Sequence, residues 1–167
     1  VTMLGNDVWN NTASKFGGVF CSSPASDGLK QLVQLENNTF RGNVAEEGAV
    51  LLMEASTGIS NVSMIGNTIQ DSKSTTSAGA VNALGMSDSL LQNNVWTNNT
   101  ILSSGYGTNV AISVQTGCTL TIRNETSENN HGSAPWYVTS SGADYAGSVS
   151  VDGMTLNDVD VQFMLLI

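Results

Sequence analysis

The fold is decided by a short stretch in the first third of the chain, Asn38-Thr39-Phe40-Arg41-Gly42-Asn43. Its pattern is a polar residue, an apolar residue two positions later and a second polar residue three positions beyond that. Copies of this motif begin at Asn6, Asn38, Asn67, Asn93, Asn124 and Asp152. Their starts lie 32, 29, 26, 31 and 28 residues apart. A period of this size indicates a stacked repeat, in which each unit buries its apolar face against its neighbours.

Each motif is preceded by alternating apolar residues and followed by a block of small residues. The position three before the first polar residue is apolar in five of the six copies, as at Met3 and Leu35. Alternation of this kind has the period of a half-buried strand. The later block is clearest in Gly17-Gly18-Val19 and Gly48-Ala49-Val50. Each unit is therefore predicted to hold at least two short strands separated by corners rich in Asn and Gly.

Two stacked architectures share this pattern. A leucine-rich repeat also needs an apolar residue eight positions before the Asn, and here only Ile59 supplies one. A parallel β-helix fits better, because each unit forms one coil of short strands and coils stack about 4.8 Å apart. Asn suits the corners, since it tolerates the left-handed backbone conformation and its amide bonds to the amides above and below.

The stack predicts two columns of equivalent residues. The first is a polar ladder formed by the six motif starts, Asn6, Asn38, Asn67, Asn93, Asn124 and Asp152. The second is an apolar column inside the coils, formed by Val8, Phe40, Ile69, Val95, Thr126 and Met154. These columns would hold successive coils in register.

The pairing of Phe-x-x-Asn with a Gly-Ala-Val block resembles the repeat of polymorphic outer-membrane-protein-like β-helices, within the pectin-lyase-like group. The closest copy runs from Phe40 to Val50, and the next runs from Val8 to Ala13 with Gly17-Gly18-Val19. The resemblance covers residues 1–112 well and 113–167 loosely. It implies a right-handed parallel β-helix in a secreted, surface-exposed adhesive or structural protein, and it carries over no catalytic residue.

We therefore expect an all-β, right-handed parallel β-helix of about six coils. Residues 1–167 would form a single segment without evident caps, as a fragment of a longer helix. The expected role is that of a non-catalytic structural or adhesive rod segment of a larger secreted or cell-surface protein. The alternative is a carbohydrate-binding or polysaccharide-cleaving β-helix domain, and ice binding is the least favoured because no Thr-x-Thr recurs at one place in the coil.

Composition and charge narrow the class of partner. Only 11% of the 167 residues are charged and 40% are hydrophobic, which argues against both a helical domain and a disordered chain. With 5 basic against 14 acidic residues, the net charge of −9 excludes tracking of nucleic-acid phosphates and disfavours anionic membranes. No membrane-inserting segment and no cofactor are predicted. The expected partners are other protein chains or further segments of the same protein, with neutral glycans as a second option.

The hypothesis of catalysis rests on few residues. Glycoside hydrolases need facing carboxylates, and lyases of this fold need a calcium-binding carboxylate cluster with a basic residue. The best carboxylate group is Asp152, Asp158 and Asp160, and the only other candidates are His131, Arg41 and Arg123. Of these, Asp158, Asp160, His131 and Arg123 form the candidate catalytic set. The simpler interpretation is that Asp152 replaces Asn at a corner while Asp158 and Asp160 face water. No metal site is predicted, because one His and two distant Cys cannot supply four ligands.

Three further residue types give expectations that the structure can be compared with. Trp9 and Trp96 directly follow inner-column positions, so they should point outward. With Trp136 they are the candidates for stacking on neutral sugars. Cys21 and Cys118 fall in coils one and five, too far apart for a disulfide between them. Among the Asn-x-Ser/Thr sequons, Asn10, Asn37 and Asn61 are the better candidates for N-glycosylation. Asn124 begins a copy of the motif and Asn98 is the second polar residue of another, so both are candidates for ladder positions.

Overall fold

The computed structural model describes residues 1–22, 31–54, 60–103, 106–132, 134–141, 147–158 and 163–166. These residues contain strands and corners but no helix, and every pairing between strands is parallel. Short strands recur because β-branched and apolar residues alternate with polar ones between Asn and Gly corners. The prediction of an all-β parallel solenoid is confirmed.

Four sheets run along the stack, and each links equivalent strands of successive coils. Sheet 1 contains β1 (Thr2–Leu4), β4 (Gln31–Glu36), β8 (Ser60–Ile65), β12 (Ser89–Gln92), β16 (Thr119–Arg123) and β19 (Ser148–Asp152). Sheet 2 contains β2 (Asp7–Trp9), β5 (Thr39–Arg41), β9 (Thr68–Gln70), β13 (Val95–Thr97), β17 (Thr126–Glu128) and β20 (Thr155–Asn157). Sheet 3 contains β3 (Phe20–Ser22), β7 (Leu51–Glu54), β11 (Val81–Met86), β15 (Val110–Gln115), β18 (Trp136–Ser141) and β21 (Phe163–Leu166). Sheet 4 is shorter and contains β6 (Val44–Glu47), β10 (Lys73–Ser77) and β14 (Thr100–Ile101).

Each full coil passes from sheet 1 through sheet 2 to sheet 4 or its equivalent segment, and then to sheet 3. The stack makes about five turns, slightly fewer than the predicted six. Successive strands of sheet 1 pair with one another from coil to coil, as Leu35 of β4 pairs with Met64 of β8. Backbone hydrogen bonds therefore run from coil to coil, along the axis of the stack.

The apolar core fills the interior of the coils. Inward side chains from sheets 1, 2 and 3 form one continuous cluster, and its largest buried members include Leu35, Phe40, Met64 and Trp96. In the middle coils, the neighbouring coils bury the apolar side chains that a single coil would leave exposed. The inner residues of the first and last described coils are less well buried. Met3 and Val8 at one end and Leu156 at the other are only partly buried.

The corners depend on a left-handed backbone. Between sheets 1 and 2, every coil has a residue with φ between 50° and 66°, and these are Gly5, Asn37, Gly66, Asn93, Asn124 and Gly153. Between sheet 2 and the next segment the same conformation occurs at Asn10, Gly42, Asp71, Asn98 and Asn129. Only Gly, Asn and Asp occupy these two columns, because they tolerate this conformation better than other residues.

The inner column of sheet 2 departs from the prediction after its third member. Val8, Phe40 and Ile69 align as predicted, but the next positions are Trp96, Ser127 and Leu156 rather than Val95, Thr126 and Met154. Trp96 is fully buried, so the prediction that it points outward is wrong, whereas Trp9 is 57% exposed. The misalignment is a single residue, which in a strand moves every side chain to the opposite face.

Gly79 lies against the backbone of the next coil and leaves no room for a side chain. A Cβ placed on this residue would lie 1.8 Å from the backbone oxygen of Thr108 in the next coil. We expect Gly79→Ala to cost about 3 kcal/mol in the free energy of unfolding, because backbone must move to admit the methyl group. Urea unfolding followed by circular dichroism measures the change.

The matched control is Gly5→Asn. Gly5 has a left-handed φ of 63° and open space around its Cβ position, and Asn already occupies equivalent corners. Its substitution should change the unfolding free energy by less than about 0.5 kcal/mol. An equal loss in both variants would contradict the close approach at Gly79.

Candidate functional site

Two ladders of polar side chains run along the corners in the described part of the chain. Ladder 1 comprises Asn6, Asn38, Asn67, Asn94 and Glu125. Ladder 2 comprises the equivalent residues Asn11, Asn43, Ser72, Asn99, Asn130 and Asp158; hydrogen bonds join Asn11 to Asn43, and join Ser72 through Asn99 and Asn130 to Asp158. Apart from Asn6 and Asn11 in the first coil, all of these residues are buried.

Ladder 1 has a repeated geometry. The backbone N–H and the Nδ2 of each Asn both donate to the side-chain oxygen of the next member, at distances of 2.8 to 3.1 Å. In the buried members Nδ2 also donates to a backbone oxygen of the preceding coil, as from Asn67 to Leu35 at 2.7 Å. Each Asn thus links three coils, and its buried amide is satisfied.

Both ladders end on a carboxylate. The Oε1 of Glu125 accepts both hydrogen bonds from Asn94, and its Oε2 accepts one from Trp96 Nε1 at 2.6 Å. The Oδ1 of Asp158 accepts two hydrogen bonds from Asn130, and its Oδ2 accepts one from Ser127 at 2.5 Å. Since a carboxylate only accepts, it completes the chain of donors without needing an acceptor in the following coil.

The structure corrects the predicted ladder in its later coils. Asn6, Asn38 and Asn67 belong to ladder 1 as predicted, but the following members are Asn94 and Glu125. The predicted residues Asn93 and Asn124 lie one position earlier, at exposed left-handed corners, where Nδ2 of Asn124 donates to Asn93. Asp152 lies at the end of β19, paired in register with Arg123 of β16.

The predicted catalytic residues occupy separate positions. Asp158 is 8% exposed and bonded within ladder 2, so the expectation that it faces water is wrong. His131 is exposed and makes an isolated bridge with Thr100, whereas Arg123 is exposed at the end of β16 in sheet 1. Asp160 lies outside the described residues. Among the described residues, no three His, Cys, Asp or Glu side chains lie together as metal ligands.

Among the carboxyl groups of the described residues, Glu125 has the pKa that departs most from its ordinary value. Burial raises its pKa from the ordinary 4.5 to about 7, against the opposing effect of the hydrogen bonds from Trp96 and Asn94. Trp96 also packs edge-to-face against Trp136, with ring centroids 5.6 Å apart. No sequence pattern pointed to this carboxyl group, because Glu125 follows the residue that had been aligned with the ladder.

The tryptophans and cysteines are placed in different environments. Trp96 and Trp136 are fully buried, so of the three tryptophans only Trp9 is available to an external ligand. Cys21 lies on β3 and Cys118 before β16, and no disulfide joins them. Burial, followed by the charge of Asp88, raises the pKa of the Cys118 thiol.

Four of the five sequons coincide with the structural needs of a corner. In Asn37-Asn38-Thr39 the first residue adopts the left-handed conformation, the second joins ladder 1 and the third begins β5. The sequons at Asn98 and Asn124 have the same arrangement, and the one at Asn10 differs only in that Thr12 forms an isolated bridge with Val44. All four asparagines are exposed. Asn61 differs, because it is half-buried and its Nδ2 donates to the backbone oxygen of Asp88 at 2.6 Å.

Comparisons with known proteins give no match: no family model, no curated protein and no solved structure is similar to this chain. Among the described residues, no helix is long and apolar enough to cross a membrane.

The register of ladder 1 can be tested at two adjacent residues. We expect Asn94→Ala to lower the unfolding free energy by about 3 kcal/mol, because it leaves Asn67 and Glu125 without their buried partners. Asn93→Gly should change it by less than about 0.5 kcal/mol, since Gly accepts the left-handed corner equally well. Thermal unfolding of both variants provides the comparison. A larger loss of stability for Asn93→Gly than for Asn94→Ala would contradict the assignment of Asn94 to ladder 1.

The raised pKa of Glu125 predicts a pH dependence of stability. A carboxyl group whose pKa is higher when folded contributes stability that is fully present below pH 4.5 and is lost as the pH rises through about 7. The loss amounts to about 3 kcal/mol for this shift. Glu125→Gln removes the titrating group, so the variant should not lose this stability between acid and neutral pH. The difference in unfolding free energy between the variant and the unsubstituted protein should therefore shift by this amount in favour of the variant as the pH rises. Chemical denaturation of both proteins across this pH range measures the difference. If the unfolding free energies of the two proteins change equally with pH, Glu125 does not titrate in this range and the prediction is wrong.

Proposed function

We propose that this chain is a non-catalytic structural or adhesive rod segment of a larger secreted or cell-surface protein. The proposal includes the resemblance of its repeat to polymorphic outer-membrane-protein-like β-helices of the pectin-lyase-like group. It takes the solenoid to be right-handed, as in that group, and takes its partners to be other protein chains or further segments of the same protein.

The observation that carries the proposal is the continuity of the stack. Three sheets each contain six strands, and every strand pairs with its equivalents in the neighbouring coils. Backbone hydrogen bonds and both ladders run parallel to the axis, so a force along the axis is shared by many bonds at once. A structure of this kind resists bending and stretching without any moving part.

Inner apolar residues in the first and last described coils offer surface on which a further coil or another chain could pack. The inner residues Met3, Val8, Val149 and Leu156 are only partly buried, whereas equivalent residues such as Leu35 and Phe40 in the middle coils are fully covered. A further coil at either end would cover this apolar surface and pair with the outer edge of the terminal strands.

The surface composition supports an extracellular setting. Outward positions carry few charges of either sign, and the exposed corner asparagines include four sequons, of which Asn10 and Asn37 were among the predicted glycosylation sites. Glycans at such corners would project away from the sheets and leave the ladders intact. The role of Asn61 in bonding Asp88 makes it a poorer acceptor.

The alternative of a carbohydrate-binding or carbohydrate-cleaving domain has less support. Neutral glycans would have Trp9 to stack on, but not the buried Trp96 or Trp136. The Asp158 carboxylate is engaged by Ser127 and Asn130, which leaves it poorly placed to act on a glycosidic bond.

Electron microscopy of the protein as its cells produce it provides the test. We expect particles that are rods, with a length of about 4.8 Å per coil of the full chain. Incubation with a panel of neutral and acidic polysaccharides should release no new sugar ends. Compact particles, or sugar release that Asp158→Asn abolishes, would overturn the proposal.

A further inference from the structure

We propose that a groove on the outer face of sheet 3 binds a cationic side chain, Arg or Lys, of a basic segment on a partner protein. The groove has a volume of about 240 Å³. Its lining includes Glu47, Asn82, Leu84, Tyr106, Ala111 and Tyr137, together with Ala78. The inference goes beyond the rod function, because it concerns the side of the stack and does not require a longer solenoid.

The shape of the groove follows from one column of sheet 3. Asn82 of β11, Ala111 of β15 and Tyr137 of β18 are equivalent residues in successive coils. The small side chain of Ala111 leaves a hollow between them. Leu84, which is 41% exposed, lines the groove from the same strand as Asn82. The hollow therefore has an apolar lining that suits the methylene groups of a long side chain.

Two aromatic rings form one wall. Tyr106, in the segment before β15, stacks on Tyr137 with ring centroids 5.2 Å apart and ring planes 16° apart. Tyr106 remains 46% exposed. The face of a tyrosine ring attracts a guanidinium or ammonium group within about 6 Å of its centre, and guanidinium groups also stack on such rings.

A carboxylate supplies the charge. Glu47, at the end of β6, is half-buried, and its Oε2 accepts a hydrogen bond from Asn82 Nδ2 at 3.1 Å. That bond holds the carboxylate at the groove. Within the described part of the chain, Glu47 makes no ion pair.

Charge complementarity selects the ligand. The chain carries a net charge of −9, which attracts basic partners and repels acidic ones over several ångströms. An apolar side chain would fill the hollow but leave the half-buried carboxylate unpaired. A Lys or Arg side chain can make all three contacts at once. Its methylene groups pack on the apolar lining, and its charged group contacts the tyrosine rings and pairs with the carboxylate.

Short peptides test the groove directly. The probe is acetyl-Gly-Arg-Gly-amide, and the matched neutral probe replaces Arg by citrulline. Ring resonances of Tyr106 and Tyr137 are followed by NMR while each peptide is added at low ionic strength. We expect saturable shifts with the Arg peptide that weaken when salt is added, and much smaller shifts with the citrulline peptide.

Variants separate the groove from general electrostatic attraction. Tyr106→Leu should weaken the Arg peptide about fivefold by removing an exposed ring, and Glu47→Gln should weaken it about threefold while keeping an oxygen for Asn82. Glu46→Gln removes the same charge from the neighbouring residue, and Trp9→Leu removes an exposed ring from sheet 2. Neither control should change the affinity.

The proposal fails if the citrulline peptide binds as well as the Arg peptide, if Glu46→Gln weakens binding as much as Glu47→Gln, or if no shift occurs. Binding of a neutral oligosaccharide at the same resonances in place of the Arg peptide would also overturn it. None of these outcomes bears on the rod function, because that is tested by particle shape.

Discussion

The structure depends on the directed hydrogen bonding of ladder 1. Each asparagine accepts from one neighbouring coil and donates to the other, so all the side-chain amides point the same way along the stack. Such a chain needs an acceptor that has no donor of its own to satisfy, and Glu125 supplies it in its ionised form. Because an unpaired buried amide would cost more than a hydrogen bond returns, the ladder fixes which residues align between coils.

Much of the fold could be predicted from the sequence, because the period, the alternation before each motif and the small residues after it are local signals. The predicted alignment between coils is wrong where two adjacent residues both fit the polar motif. At Asn93-Asn94 either residue fits a corner or a ladder by type, and only the left-handed conformation of the first distinguishes them. At Asn124-Glu125 the ladder residue is not an asparagine at all, so a search for repeated Asn selects the corner residue.

The groove and the buried carboxyl group could not have been found in this way. Tyr106 and Tyr137 are 31 residues apart in the sequence, and they stack because their coils are neighbours with a particular alignment of sheet 3. The same error that placed Trp96 on the surface concealed its hydrogen bond to Glu125. In a solenoid a one-residue shift exchanges the core for the surface, so side-chain chemistry is known only after the register is known.

The direction of the ladders makes the two ends of the stack unequal. At the first coil, Asn6 and Asn11 donate to the second coil, which leaves their side-chain oxygens facing the preceding position as acceptors. At the other end, Glu125 and Asp158 complete the ladders, and the residue that follows Glu125 in register is Met154. A preceding coil that carried asparagines could therefore extend both ladders. A coil that followed Asp158 would be held by backbone pairing and apolar contact, because both ladders have already ended on a carboxyl group.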